Sequence, residues 1–527
     1  MIYHCEDHTC NYWDEGEKLP ERCPQCGRKL LRANEADMTG DDWTALGNTL
    51  WDAEASDKKR MVDCFRKAAY LGSAWGVCNL GICMEQGNGV EADPVQAFWL
   101  YQQAVEMGSL NAVCCLGVCY EYGIGTAPDA EKAAELYCKA AEYGSPRGQM
   151  LLARAFHDGI GVEADAAEAV HWVRAAAYQR YGEGMHRLGV CYAYGDGVEQ
   201  NWEHAVHWFR EAAESGVSAA MTDLGYCYEK GCGVEQSWEQ AFSWYRRGAE
   251  CGNPVSMCNL GYCYEKGCGV EQNWQEAVKW YEQGAQCGNL QSMHNLACCY
   301  ERGEGVKQNM TEAIRWYTAA AEGGNADDMY ELGWQYDHGE GVEQDMKKAI
   351  CWYERAAEQN YPAAMNSLGE CYAMGRGVPR DLETAMEWYR RAAELGEAMA
   401  DYNMGWHLEQ AGKLSEAYAH YRKAADGNDD SAWWALGRFY ENGVVVAQDG
   451  KEARRCYETG EKLGSVKCKM RLARCKLLGI GGRRAKKAGL DLCRQALELA
   501  KESSEKEDYG YEAEMNLLRR TIAENES

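Results

Sequence analysis

Apolar and small residues recur along this chain with a period of 36 residues. A Leu followed by Gly or Ala anchors each copy, and every interval from Leu80 to Met404 has this length. Each copy contains two segments in which the apolar positions are spaced as on one face of an α-helix. The pattern predicts a pair of antiparallel helices per copy, stacked into a solenoid. The anchors are Leu46, Leu80, Leu116, Leu152, Leu188, Leu224, Leu260, Leu296, Leu332, Leu368, Met404, Leu436 and Leu472.

The sequence LGYCYEKGCGVEQ at Leu224–Gln236 returns letter for letter at Leu260–Gln272. We predict that its first helix ends at Gly231, because glycine can adopt the left-handed cap conformation. We call the residues at one position in successive copies a repeat column. The polar column that follows Gly231 holds only good N-cap residues, so it marks the start of the second helix. Its members are Asp93, Asp129, Asp165, Asn201, Ser237, Asn273, Asn309, Asp345, Asp381 and Asp449. We expect that helix to bury Trp238, Ala241, Trp244, Tyr245 and Ala249.

The anchor glycine is expected to allow close approach of the two helices. It becomes Ala at Ala153, Ala297 and Ala473, so a small side chain is required there and a positive φ is not. Pro146, Pro254 and Pro362 are predicted in the first turn of an opening helix, where the missing N–H costs nothing.

The 527 residues carry a net charge of −27. This charge argues against nucleic acid and against an anionic membrane surface as partners. The start, MIYHCEDHTC, has neither a basic nor an apolar signal-peptide region, and no stretch is apolar enough to span a membrane. The 27 cysteines follow the repeat columns, which favours buried thiols in a reducing compartment. We expect a cytoplasmic protein.

Four cysteines precede the first copy: Cys5, Cys10, Cys23 and Cys26. In CPQCG the Cys-x-x-Cys spacing directs two sulfurs at one ion, and with the first pair it matches a tetrahedral structural zinc site. A head of this length lacks a self-supporting core, so zinc would supply much of its folding free energy. Two alternatives stay open: His8 replaces Cys10 as a ligand, or the cysteines hold no metal and have no role or a redox role.

The repeat resembles the Sel-one-like (SLR) family, the longer relatives of tetratricopeptide (TPR) repeats. The resemblance is carried in the best copy by Ala220, Leu224, Gly225, Tyr228, Gly231, Gly233, Val234, Ala241, Trp244 and Tyr245. It implies an all-α fold: a right-handed α/α superhelix of about thirteen helix pairs that serves as a protein-interaction scaffold. CPQCG resembles a zinc-ribbon or rubredoxin-like knuckle. The expected domains are a head at 1–35, the solenoid at 39–500, and a capping helix and tail at 501–527.

In a TPR-like stack the opening helices line the concave surface. Positions −2, +2, +5 and +6 from the anchor would point there, with aromatic side chains between charged ones, as suits a peptide or protein partner. An ordinary solvated surface explains these columns equally well. The candidate partner-binding residues are Tyr226, Glu229, Lys230, Tyr262, Glu265, Lys266, His294, Glu301, Arg302, Tyr330, Trp334, Asp337 and His338.

Two other functions compete with the scaffold. One is a hydrolase or redox enzyme that uses a Cys or His of the groove, but no nucleophile and base recur at a consistent spacing. The other is a zinc-ribbon regulator of nucleic-acid processes, which the acidic charge disfavours. We therefore expect neither catalysis nor a small-molecule substrate.

Overall fold

The structure, a computed structural model, describes residues 2–5, 13–15, 30–32, 35–51, 55–506 and 511–526. The chain divides into two compact units, the N-terminal unit Met1–Gly284 and the C-terminal unit Ala285–Ser527. Three short strands, β1 (Ile2–Cys5), β2 (Trp13–Glu15) and β3 (Leu30–Arg32), form an antiparallel sheet with the order β2-β1-β3. A 3₁₀ turn at Glu35–Asp37 leads into the first helix.

Twenty-seven α-helices occupy the rest of the described chain. In order they are α1 (Gly40–Thr49), α2 (Ala55–Tyr70), α3 (Ala74–Gln86), α4 (Pro94–Glu106), α5 (Leu110–Tyr122), α6 (Ala130–Glu142), α7 (Pro146–Asp158), α8 (Ala166–Tyr178), α9 (Gly182–Tyr194), α10 (Trp202–Glu214), α11 (Ser218–Lys230), α12 (Trp238–Glu250), α13 (Pro254–Lys266), α14 (Trp274–Gln286), α15 (Leu290–Arg302), α16 (Met310–Glu322), α17 (Ala326–His338), α18 (Met346–Glu358), α19 (Pro362–Met374), α20 (Leu382–Glu394), α21 (Ala398–Gln410), α22 (Leu414–Asp426), α23 (Asp430–Asn442), α24 (Gly450–Lys462), α25 (Val466–Leu478), α26 (Lys486–Lys506) and α27 (Glu512–Glu526).

The helices form consecutive pairs, from α1 with α2 to α25 with α26, and α27 follows the last pair. We call the odd-numbered helices up to α25 opening helices and their even-numbered partners closing helices. This arrangement confirms the helix-pair repeat predicted from the 36-residue period. The last closing helix, α26, continues past residue 500 to Lys506. Glu514 of α27 accepts two hydrogen bonds from Arg471 of α25, each 2.7 Å long, which attaches this end helix to the array.

The caps predicted from the sequence are confirmed. All ten residues of the polar column accept a hydrogen bond from a backbone N–H in the first turn of a closing helix, as Asp93 does from Gln96 at 2.9 Å. Pro146, Pro254 and Pro362 begin α7, α13 and α19. These local signals define the helix ends because they satisfy backbone groups that the helix itself cannot pair.

The pair α11 and α12 shows how each copy is packed. Leu224 and Tyr245 are fully buried against each other's helix. A Cβ at Gly225 would lie 2.6 Å from the Tyr245 ring, which confirms that the anchor glycine serves close approach. Trp238 and Trp244, predicted to be buried, are only partly so, and Trp244 lies under the Arg247 guanidinium at 4.3 Å. The prediction failed because an amphipathic side chain at the edge of a face also satisfies the helical period.

Candidate interaction surface

The opening helices form a surface of their own. Within the N-terminal unit, α3 contacts α5, α5 contacts α7, and α11 contacts α13. Side chains at positions −5, −2, −1, +2, +5 and +6 from each anchor follow one another along these helices. We call this surface the opening-helix face. It contains all of the predicted partner-binding residues, which divide between the two units.

Position +5 has a structural role that the sequence did not reveal. A Glu there accepts a hydrogen bond from the hydroxyl of the buried Tyr on the closing helix of the same pair. We call this contact the Tyr–Glu bond. Its lengths are 2.6 Å for Tyr101–Glu85 and Tyr137–Glu121, 2.7 Å for Tyr281–Glu265, and 2.8 Å for Tyr245–Glu229, Tyr317–Glu301, Tyr421–Glu409 and Tyr457–Glu441. Burial first, and the Glu229 contact second, raise the pKa of Tyr245, so its hydroxyl keeps the proton that it donates.

In two consecutive copies of the N-terminal unit both partners of the Tyr–Glu bond are replaced. Val173 replaces the Tyr where His157 replaces the Glu, and Phe209 replaces the Tyr where Ala193 replaces the Glu. When the hydroxyl is absent, the carboxylate is absent too. Glu229, Glu265 and Glu301, predicted to bind a partner, thus also complete the packing of their own helix pairs.

Four predicted residues of the N-terminal unit keep a more accessible position. Tyr226 and Tyr262 expose 44% and 42% of their surface, far more than the buried tyrosines that form the Tyr–Glu bonds. Lys230 and Lys266 form ion pairs with the preceding glutamates, at 2.7 and 2.6 Å. Each ammonium group also lies 5.9 Å from the centroid of one of the two tyrosine rings, within cation–π range. Aromatic and charged groups are therefore combined here as the sequence predicted.

In the C-terminal unit the predicted aromatic residues are engaged with neighbours. Trp334 stacks on His338 with ring centroids 4.4 Å apart. Tyr330 packs against Tyr353 and Tyr361, with centroids 5.8 and 5.4 Å away.

The predicted charged residues of this unit differ in their exposure. Asp337 is almost fully buried and forms an ion pair with Arg376 at 2.8 Å. His294 is partly buried and lies 2.8 Å from Asp328, whereas Arg302 is exposed. Of these residues, Arg302 and the Trp334–His338 stack are the most open to a partner.

The break in the Tyr–Glu bonds coincides with a cavity. It has a volume of about 590 Å³ and lies between α7, α8 and α9, where the absent tyrosine ring would stand. Val173 and Ala153 form part of an apolar floor. The complete lining is Arg147, Met150, Leu151, Ala153, Arg154, His157, Asp158, Ala169, Val170, Val173, Tyr181, Glu183, Arg187, Cys191 and Asp196.

Three guanidinium groups line this cavity in a strongly acidic protein. Arg154 forms an ion pair with Glu121, and Arg187 lies 3.5 Å from Asp196. Arg147 donates to the Asn111 side-chain oxygen at 2.7 Å, and within the described residues no carboxylate pairs with its guanidinium. The buried Nε–H of Arg154 likewise has no acceptor among the described groups. Arg147 is therefore the guanidinium of this cavity that keeps donors for a carboxylate, although Asp158, Glu183 and Asp196 also belong to the lining.

Sequence reasoning missed these arginines because each stands at a different position relative to its anchor: Arg147 at −5, Arg154 at +2 and Arg187 at −1. None of the columns is basic in the other copies of the N-terminal unit. A signal was nevertheless present, since the joint loss of Tyr and Glu at Val173 and His157 is visible in the aligned copies.

The predicted zinc ligands fall in the least described part of the chain. Cys10, Cys23 and Cys26, with the alternative ligand His8, lie outside the described residues, and Cys5 ends β1 without a described side chain. In the described part, no group of three or more His, Cys, Asp or Glu side chains could hold a metal ion. The zinc site remains a prediction.

The chain is similar to several known proteins. The family model for the Sel1 repeat matches at residues 76–109, 112–145, 146–181, 182–217, 218–253, 254–289, 290–325, 326–361, 362–397, 398–429 and 432–465. The crystal structure of c5321 shares 29% identity with the chain and a TM-score of 0.59, and the match covers 81% of this chain and 94% of c5321. That protein is described as a protective antigen of uropathogenic Escherichia coli strains with an SLR fold.

Two further structures match less closely. A Sel1 repeat protein from Oxalobacter formigenes is 30% identical over 46% of this chain and 96% of its own, with a TM-score of 0.42. Yeast Tom70 is 14% identical over 87% of this chain and 97% of its own, with a TM-score of 0.32. None of the curated proteins matches significantly. Among the described helices, none is both long and apolar enough to span a bilayer. Because the repeat model matches most of its length, this chain belongs to the Sel1 repeat family.

Proposed function

We propose that the protein is an interaction scaffold whose N-terminal unit binds an extended acidic segment of a protein partner on its opening-helix face. Sel1 and TPR-like repeat folds generally serve as scaffolds for protein interactions. The observation that carries the proposal is the cavity at the break of the Tyr–Glu bonds, with three guanidinium groups above an apolar floor.

The chemistry of the cavity selects an acidic side chain. A guanidinium binds a carboxylate through two parallel hydrogen bonds, and Arg147 has no competing carboxylate within the described residues. The floor at Val173 and Met150 would accept the methylene stem of a glutamate. Tyr226 and Tyr262, farther along the same unit, would supply aromatic contacts to the rest of the segment.

The C-terminal unit offers further contacts of the same kind. The Trp334–His338 stack is a flat aromatic surface, and the exposed Arg302 is a second cation for an acidic partner. These residues would add to the affinity for a protein partner through contacts that are independent of the cavity.

The test begins with a library of random dodecapeptides displayed on phage and selected on the immobilised full chain. We expect enrichment of peptides that contain Asp or Glu beside apolar residues. For an enriched peptide, Arg147→Glu is expected to weaken binding at least about tenfold, because it replaces an attractive charge with a repulsive one. The control is Arg246→Glu on closing helix α12, whose side chain pairs with Glu250 away from the face. No acidic enrichment, or an equal loss in the control, would refute the proposal.

The aromatic residues are tested in the same assay. Tyr226→Ala combined with Tyr262→Ala should weaken peptide binding while the melting temperature falls by no more than a few degrees, because both rings are largely exposed. If the double variant loses stability and binding together, the two tyrosines belong to the core and our assignment is wrong.

We also propose a structural zinc ion in the head. The strand register supports it, because Cys5 pairs with Leu30, and Cys26 precedes Leu30 by four residues in the chain. In the sequence Cys10 stands between β1, which ends at Cys5, and β2. Four thiolates close the coordination of zinc, so the ion would stabilise the fold without catalysis. Metal analysis of the purified chain should find one zinc ion, lost in Cys23→Ser with Cys26→Ser; a chain without zinc would refute the site.

We place the protein in the cytoplasm in this proposal. Its repeated cysteine column is buried at Cys83, Cys119 and Cys227, where a thiol acts as a small apolar group and requires no oxidation. Burial raises the pKa of Cys83 to about 11, which keeps that thiol protonated. Fractionation of the native cells with an antibody against the chain tests this location.

A further inference from the structure

Three side chains on the opening-helix face of the C-terminal unit form an ordered array. His294 and Cys298 lie one turn apart on α15, and Asp328 lies on α17. Nδ1 of His294 is 2.8 Å from Oδ1 of Asp328, and Nε2 of His294 is 3.5 Å from Sγ of Cys298. A nucleophile, a base and an acid that orients the base are thus arranged in sequence.

Asp328 is exceptional in its repeat column. It occupies position −4 from the anchor, and from the second copy to the last every other residue in that column is small: Gly76, Ala112, Gly148, Gly184, Ala220, Ser256, Ser292, Ala364, Ala400, Ala432 and Cys468. Its side chain is fully buried, and Oδ2 has no hydrogen-bond partner among the described groups. Burial of a carboxylate is unfavourable unless it is paired, so packing alone does not account for an acid here.

The N-terminal unit shows the ordinary form of the same contact. There Thr222 and Ser256 occupy the positions of His294 and Asp328, and their hydroxyl groups are 2.6 Å apart. This pair joins α11 to α13 without any ionisable group. The packing of consecutive opening helices therefore does not require an imidazole and a carboxylate. Their presence between α15 and α17 calls for a chemical explanation.

The hydrogen bonds determine where the protons lie. The Nδ1–H of His294 donates to the Asp328 carboxylate, and Nε2 faces Sγ of Cys298. Asp328 first and Cys298 second raise the pKa of His294 to about 10, so both ring nitrogens carry a proton at neutral pH. The Tyr317 hydroxyl, 3.3 Å from Sγ and 2.8 Å from Glu301, and the carboxylates of Asp327 and Glu331 also lie near the array.

We propose that Cys298 is a nucleophilic thiol that accepts an acyl group from an activated ester or thioester. The proton that Cys298 loses is held on Nε2 of His294, in an imidazolium that Asp328 stabilises. The Sγ thiolate attacks the acyl carbon and forms the S–C bond, while the bond from that carbon to the leaving oxygen or sulfur breaks. The Nε2 proton then passes to the leaving group, so atoms, charge and electrons balance.

The thiol is in a position to meet such a reagent. Cys298 is only partly buried and occupies position +2, where Tyr226 and Tyr262 of the N-terminal unit stand largely exposed. The site is independent of the proposed peptide cavity, because its residues belong to the C-terminal unit.

The test uses p-nitrophenyl acetate with the full reduced chain at neutral pH. We expect acetylation of Cys298, located by mass spectrometry of peptides, at least about ten times faster than that of Cys351, an exposed cysteine of the same unit. Cys298→Tyr, which introduces the residue of the two preceding copies, should remove the fast release of one nitrophenolate per chain. Acetylation of Cys298 no faster than that of Cys351 would overturn the proposal.

The decisive control is the double variant His294→Thr with Asp328→Ser. It introduces the Thr222–Ser256 pair that the chain itself uses, so the helices should stay packed and Cys298 should stay exposed. We expect its acetylation rate to fall at least about tenfold at an unchanged circular dichroism spectrum. An unchanged rate would show that exposure alone explains the reactivity and would refute the array. Should this variant fail to fold, Asp328→Asn provides the same comparison, because it removes the charge and keeps the shape.

Discussion

The segments 218–283 and 146–215 of the N-terminal unit share one repeat frame but use the space between their helices differently. In the first, the rings of Tyr245 and Tyr281 fill this space, and each hydroxyl bonds to a Glu of the opening helix. In the second, Val173 leaves part of it empty and a cavity lined by arginines opens. Omission of one packing contact can thus open a cavity within an otherwise unchanged repeat.

The omission is accompanied by a change in the anchor. Gly225 faces Tyr245, whose ring would meet a Cβ at 2.6 Å, whereas Ala153 stands in the copy that has Val173. An Ala anchor does not by itself exclude the ring, since Ala297 stands in the copy that buries Tyr317 and keeps its bond to Glu301. The change that accompanies the cavity is therefore the joint replacement of the Tyr at Val173 and of its acceptor at His157.

The largest expected effect comes from truncation of the two facing side chains. Tyr245→Ala should reduce the free energy of unfolding by about 3–5 kcal/mol, since it removes a fully buried ring and leaves a void. Val173→Ala should cost about 1–2 kcal/mol, because fewer atoms are lost beside an existing cavity. Urea unfolding followed by circular dichroism measures both. Equal losses would mean that the two segments are packed alike.

A triple variant should convert the second segment into the first. Ala153→Gly, His157→Glu and Val173→Tyr together supply the ring, its acceptor and the space for close approach. We expect the acidic peptide of the proposed function to lose at least about tenfold in affinity, with stability changed by no more than about 1 kcal/mol, because buried ring area offsets the cost of a helical glycine. The single variant Val173→Tyr is the control, since its buried hydroxyl would lack the carboxylate acceptor at position +5. Full retention of peptide binding in the triple variant would exclude the cavity as the site.

The hydroxyl of the Tyr–Glu bond should contribute less than the ring. Tyr245→Phe is expected to cost about 1 kcal/mol, because Glu229 loses one donor but keeps Lys230. Tyr389 is the matched control, since Ala373 stands at its position +5 and no protein acceptor bonds to its hydroxyl in the described residues. Tyr389→Phe should therefore cost clearly less. Thermal unfolding of both variants decides whether the bond or the hydroxyl alone is stabilising.

The smallest effect is expected at the lysines that follow the glutamates. Lys230→Ala and Lys266→Ala should each change stability by less than about 0.5 kcal/mol, because both side chains are half exposed and their ion pairs are screened by salt. Unfolding midpoints at low and high salt provide the measurement. A large loss that disappears at high salt would show that these ion pairs stabilise the pair packing.

Much of the fold followed from local signals in the sequence. The 36-residue period, the N-cap column and Gly231, which ends α11 at a φ of +73°, each describe one helix or its end, so the boundaries could be predicted without knowledge of distant contacts. The role of the anchor glycine followed from its replacement by Ala in three copies.

The function of individual polar residues did not follow in the same way. Glu229 was predicted to recognise a partner, yet its carboxylate bonds to Tyr245, sixteen residues away on another helix. Cys298 and His294 showed no recurring acid, because Asp328 belongs to the next copy and stands in a column of small residues. Spacing within a helix reveals which side chains share a face, but it does not reveal which faces meet.

The repeat pattern was enough to predict consecutive helix pairs, the caps of the repeated helices, and the positions that must be small or apolar. Those properties depend on backbone hydrogen bonds and on helical periodicity, which act over a few residues. The three-dimensional packing was needed to learn that Glu at position +5 belongs to the packing, that its loss with Tyr accompanies a cavity between α7, α8 and α9, and that Asp328 meets His294. Each of these outcomes depends on the distance between side chains of different helices, which packing alone establishes.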